Sequence, residues 1–316
     1  ALDPGFREAD YPPVRPDQAA AVERSEAVAG FAGERPAVSA TADTPIDDGI
    51  AASIGNPTPE HLALARVLHR SIPEDLFEAA HSADDAYLLT LALMISDEQK
   101  EPQLNLVAGQ LGEERGAKVQ AYYESLRTVG LQYWLPLLEI SFPALKQRPH
   151  ESLEFLVDLI QKLVEVDGTI DLREFCYSRI ITKHLEQASA PATASKKNRV
   201  SKPAARQAAI DLLRIVAHQG SRDPAAVGSA FRAGARIFGD WAGAIESTPD
   251  DALSVQRLDE ALHVLSMINA AGRKSLVEAV TRTVGHDNQL TLGEAELLRA
   301  ICASLDCPLP PILAAT

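Results

Sequence analysis

Val166-Asp167-Gly168-Thr169-Ile170-Asp171-Leu172-Arg173-Glu174 returns as His286-Asp287-Asn288-Gln289-Leu290-Thr291-Leu292-Gly293-Glu294, with every position displaced by 120 residues. Each copy follows one amphipathic pattern and precedes another. Ahead of the first copy, Leu153, Leu156, Val157, Ile160, Leu163 and Val164 fall on one face of a helix. That helix is expected to stop at Asp167-Gly168, because glycine accepts the positive φ of a helix C-terminus. Asp171 then caps a second helix, with Glu174 at the capping-box position. In the second copy Thr291 takes the cap and Glu294 the box, and Leu292, Ala295, Leu298, Ile301 and Leu305 line the inner face. The unit is helix, acidic turn, helix, and it occurs twice.

Similar signals extend along the chain. Residues 1–56 are rich in Pro, Ala, Asp and Glu, carry no sustained stripe, and read as a linker. Residues 57–187 read as a first helical domain. Its expected starts are Thr58-Pro59, Pro73 and Ser82-Ala83-Asp84-Asp85, and further helices are expected over 99–110, 113–131 and 133–147. Pro136 and Pro143 should shape the last of these. Residues 188–203, rich in Ala, Ser and Lys, read as a flexible linker, and 204–316 as a second helical block. Asp223-Pro224 and Thr248-Pro249-Asp250-Asp251 are cap-plus-proline starts within it. No strand pattern stands out. The expected class is all-α, a multi-helix bundle of two related blocks.

Composition narrows the function. The 316 residues carry a formal net charge of −14, with 46% hydrophobic and only 5% aromatic residues. Such an acidic surface repels phosphate backbones, so nucleic acid is not an expected partner. The basic run Lys196-Lys197-Asn198-Arg199-Val200-Ser201-Lys202 lacks aromatics for base stacking and reads as solvated linker. Three cysteines without CxxC spacing suit neither a disulfide framework nor a zinc cluster, and they point to a reducing compartment. Cys176 and Cys302 fall on apolar faces, as small core residues do. No stretch reaches the length of a bilayer span, and no signal peptide is evident. The first residues are Ala1-Leu2-Asp3 rather than Met, which is expected of a piece of a longer product.

No catalytic constellation is expected. The eight histidines form no HExxH and no pair spaced by four. Nucleophile elbows and phosphate-binding glycine loops are absent too. The acidic turns invite comparison with calcium loops, which need oxygen ligands at positions 1, 3 and 5, Gly at 6 and Glu at 12. With Gly168 at position 6, the first copy offers Glu165, Asp167 and Glu174 but places Leu163 at position 1. The second offers Thr283, Asp287 and Glu294 but places Gly285 at position 3 and Asn288 at position 6. Asp167, Glu174, Asp287 and Glu294 are therefore weak candidates for a divalent cation of millimolar affinity. The plainer reading makes both segments helix-capping turns.

The segment Leu163 to Phe175, with its D-G-x-[IL] turn and capped second helix, resembles the TerB-like module of tellurite-resistance proteins. Asn288 departs from that motif in the second copy. Leu2-Asp3-Pro4-Gly5-Phe6 is similar to the segment closing the catalytic domain of HtpX-like membrane zinc metallopeptidases, where H-P-P-x-x-x-R-I leads into L-D-P. Leu135 to Glu139, Pro143 to Leu145, Val166 to Cys176 and Leu298 to Pro311 are similar to the long C-terminal extensions of bacterial members. The resemblance implies an upstream membrane-embedded zinc endopeptidase domain whose HExxH ligands lie before Ala1. It implies a chain with no cofactor of its own, placed at the cytoplasmic face of the bacterial inner membrane. Its role would be regulatory or adaptor-like, recognising a protein partner or substrate. The alternative is a free-standing helical interaction or stress-response module with weak cation binding.

Overall fold

A computed structural model describes residues 37–39, 70–166, 168, 170–189, 200–239 and 254–307. The expected linker 1–56, apart from 37–39, lies outside these residues, as do the Thr58 and Thr248 helix starts and most of 188–203. Among the described residues the chain is helical almost throughout, as the all-α reading requires. The first half contains α1 (Glu74–His81), α2 (Ala83–Leu93), α3 (Lys100–Leu111), α4 (Glu113–Leu126), α5 (Trp134–Leu145), α6 (His150–Val164) and α7 (Leu172–Ser189). The second contains α8 (Lys202–Gly220), α9 (Pro224–Ala235), α10 (Val255–Ser266), α11 (Ala270–Val284) and α12 (Leu292–Ser304).

Local chemistry sets the helix starts. Ser82 accepts a hydrogen bond from the Asp85 amide, and Asp223 accepts from Ala225 and Ala226 ahead of Pro224. Ser201 and Ser254 cap α8 and α10 in the same way. Pro136 sits in the first turn of α5, where amides have no intrahelical partner. Pro143 lies inside that helix and removes one backbone bond, yet α5 continues to Leu145.

Each half wraps around one helix that is buried over most of its length. In α2 the residues from Ala86 to Leu93 are all buried, and in α8 those from Ala208 to Ala217 are. α2 packs against α4 and α5, and α3 packs on α4. α8 packs against α9, α10 and α11. Buried polar groups tie these layers together. Gln103 on α3 donates to the Leu163 carbonyl at 3.0 Å, in the last turn of α6, where carbonyls run short of intrahelical partners. Trp134 donates its ring N–H to the Leu126 carbonyl at 3.2 Å.

The two acidic turns match at one backbone position. Gly168 has φ 74° and its counterpart Asn288 has φ 58°. Both stand in the left-handed region, which glycine enters freely and asparagine tolerates better than other side chains. The exchange of Gly for Asn therefore preserves the turn. One feature departs from the sequence expectation of no strand. Gln289–Thr291 pairs antiparallel with Ala37–Ser39, Leu290 opposite Val38. A three-residue extended stretch just before a capped helix leaves amides and carbonyls open, and a second strand satisfies them. A pattern this short carries no period that a sequence reading could detect.

A Cβ added at Gly168 would meet nothing within 4 Å, so its substitution cost is conformational alone. Gly168→Ala is expected to lower stability by about 1 kcal/mol, whereas Asn288→Gly leaves it unchanged or raises it slightly. Chemical denaturation of the two variants beside the unsubstituted chain checks this.

Candidate functional site

The acidic turns are the first place to look for chemistry. Asp171 Oδ1 accepts from the Glu174 amide at 2.7 Å, and Glu174 Oε2 accepts from the Asp171 amide at 3.1 Å. Thr291 Oγ1 accepts from the Glu294 amide at 3.2 Å, and Glu294 Oε2 accepts from the Thr291 amide and hydroxyl at 2.8 Å each. Both turns are thus reciprocal capping boxes. Glu294 is buried, and Gly220 at the end of α8 comes so near that a Cβ there would stand 2.5 Å from Glu294 Oε1. Asp287 is exposed in a short 3-10 turn, Gly285–Asp287. Asp167 lies outside the described residues. The two glutamates among the four cation candidates are therefore occupied with their own helix N-termini, one per turn. Among the described residues no group of three or more His, Cys, Asp and Glu side chains is arranged to hold a metal ion.

A further set of interior titratable groups lies where α7 packs against α12, the most extensive helix pairing among the described residues. Tyr177 on α7 is buried and donates its hydroxyl to Glu296 Oε1 on α12 at 2.9 Å. Burial pushes the Glu296 carboxyl up to about 7, with Asp171 adding to the rise and the Tyr177 hydrogen bond and Arg173 opposing it. Burial, with Glu296 next, also raises Tyr177 and the neighbouring Cys176 thiol well above their ordinary ranges. Arg173 stacks on the Trp134 ring at 5.1 Å. A shallow cleft lined by Leu93, Met94, Ile95, Ser96, Arg173, Glu174 and Tyr177 reaches this region. Here a proton can be held near neutrality, but the tyrosine is spent on the carboxyl.

Two ion pairs flank that centre. Arg179 on α7 meets Asp259 on α10 at 2.8 Å and donates to Ser304 on α12 at 3.0 Å. Arg299 on α12 meets Glu139 on α5. Neither these pairs nor Tyr177 and Glu296 form a short motif in the sequence, since each pair joins distant segments. The one local signal is Glu296 itself, a carboxylate set between Ala295 and Leu297-Leu298 in a largely apolar stretch. The expected core roles of Cys176 and Cys302 are met, since both thiols are buried. No helix among the described residues is long and apolar enough to cross a membrane.

Searches against family models, curated proteins and solved structures return no match to this chain.

Two outcomes are expected from this geometry. The folded Glu296 carboxyl keeps its proton to about 7, while the unfolded one releases it near 4.5. The contribution of Glu296 to stability is thus fully present below 4.5 and is lost as pH rises towards 7, by roughly 3 kcal/mol at most. Glu296→Gln should flatten the part of the melting-temperature profile between about pH 5 and 8 that this group supplies; an unchanged slope would contradict it. Because the turn glutamates serve their own caps, titration with micromolar calcium should give no calorimetric signal.

Proposed function

We propose that this chain is a non-catalytic helical region of an HtpX-like membrane zinc metalloendopeptidase, serving as a regulatory or adaptor module that recognises a protein partner or substrate. The observation that carries the reading is where the polar chemistry goes. Glu174 and Glu294 cap helices, and Arg179, Arg299, Tyr177 and Glu296 join one helix layer to another. What is left facing outward among the described residues is the polar side of amphipathic helices, the kind of scaffold that can present a helix surface to another polypeptide. The three thiols are free, which suits a place on the cytoplasmic side of the inner membrane. Zinc would belong to the upstream catalytic domain, with no ligand contributed by the residues of this chain.

The test is direct. The 316-residue chain incubated with casein and added zinc should leave the substrate intact over a time course in which a zinc endopeptidase used as control degrades it. Cleavage that a chelator abolishes would overturn the proposal.

A further inference from the structure

The two flanking ion pairs obey the same spacing as the acidic turns. Arg179 and Arg299 are 120 residues apart, and so are Glu139 and Asp259. Arg179 of the first half reaches Asp259 of the second, while Arg299 of the second half reaches Glu139 of the first. Exchanging the halves turns one ion pair into the other. That is the rule of a two-fold interface: if residue i of one copy touches j of its partner, then j touches i across the axis.

The elements between them keep the same register. α6 and α11 each have 15 residues, beginning at His150 and Ala270, and α7 and α12 begin at Leu172 and Leu292. Core positions correspond as well, with Leu156 and Leu276 both buried, and likewise Ile181 and Ile301. α7 and α12, which hold corresponding places, lie against each other as an element on a two-fold axis must. The hydrogen bond of Tyr177 to Glu296 is one place where the halves differ. Their counterparts are Leu297 and Cys176, which form no such pair.

We infer that the chain is a duplicated unit folded as an intramolecular two-fold dimer, and that the face carrying α7 or α12 is a self-recognition surface whose partner is a second copy of the same unit. Each half presents one arginine and one carboxylate on that face, so its charges are complementary to the other half and to its own copy on another molecule. Within one chain the attached half wins, because the linkage keeps it at high effective concentration.

A charge exchange confined to the first half separates these possibilities. In the variant Arg179→Glu with Glu139→Arg, the carboxylate introduced at position 179 would face Asp259, and the guanidinium introduced at position 139 would face Arg299. Pairing within the chain is then opposed by like charges at both contacts. First half against first half of another molecule remains complementary, as does second half against second half. Light scattering at rising protein concentration should show this variant approaching about twice the mass of the unsubstituted chain, with the dimer favoured at low salt. Adding Asp259→Arg and Arg299→Glu restores the match within the chain, and the fourfold variant should recover the original mass and melting temperature. A double variant that keeps the original mass at every concentration would overturn the inference. If the double variant aggregates, the fourfold variant decides: recovery supports the inference, and persistent aggregation overturns it.

Discussion

Everything in this fold depends on burying α7 against α12. Each is the second helix of an acidic hairpin, and each carries an apolar face that its own hairpin cannot cover. Phe175, Ile180, Ile181 and Leu185 on α7, and Leu297, Leu298 and Ile301 on α12, are all withdrawn from solvent. Removing a large aliphatic or aromatic side chain from water contributes about 1.5–3 kcal/mol. A surface of several such residues is enough to hold one half on the other, since a whole domain is stable by only about 5–15 kcal/mol. The caps, turns and central helices α2 and α8 place these two faces, and the contact between them makes one body from two hairpins.

Polar groups in that contact specify geometry more than they stabilise it. Apolar packing alone permits sliding, whereas a guanidinium that must meet a carboxylate admits one register. Arg299 is mostly buried against Glu139, so losing Glu139 would remove a counterion from a charge in a place of low polarity. Glu296 follows the same logic with a different solution. Burial favours its protonated form, while the Tyr177 hydroxyl and the Arg173 charge draw it back towards the ionised one. A buried carboxyl with raised proton affinity often signals catalysis. Here its hydrogen-bond partner lies on the opposite half, which makes it a feature of the interface.

The acidic turns show how a suggestive motif is absorbed by local structure. Two aspartate-containing loops with a glutamate downstream look like ion ligands when written as a string. Folded, each glutamate turns back onto the amide at the start of its own helix, at 3.1 Å in one copy and 2.8 Å in the other. A helix N-terminus carries partial positive charge and open amides, so it competes for the same carboxylate that a cation would need. Among the described residues, the strand Ala37–Ser39 pairs with the second turn.

The helices, their caps and the repeat were legible because they rest on contacts within a few residues. Ser82, Asp223 and Thr291 act on amides two or three positions away, and Gly168 and Asn288 satisfy a single backbone angle. Such terms are written in adjacent letters, and so is the all-α class that follows from them. Where Arg179, Arg299, Glu139 and Asp259 find their partners could be decided only in three dimensions. Each ion pair joins residues 80 or more apart, on helices whose relative placement depends on how apolar faces of two halves interlock. Helix periodicity states that a face is apolar but not which other face will cover it. That choice belongs to packing, and packing here made two hairpins into a symmetric pair.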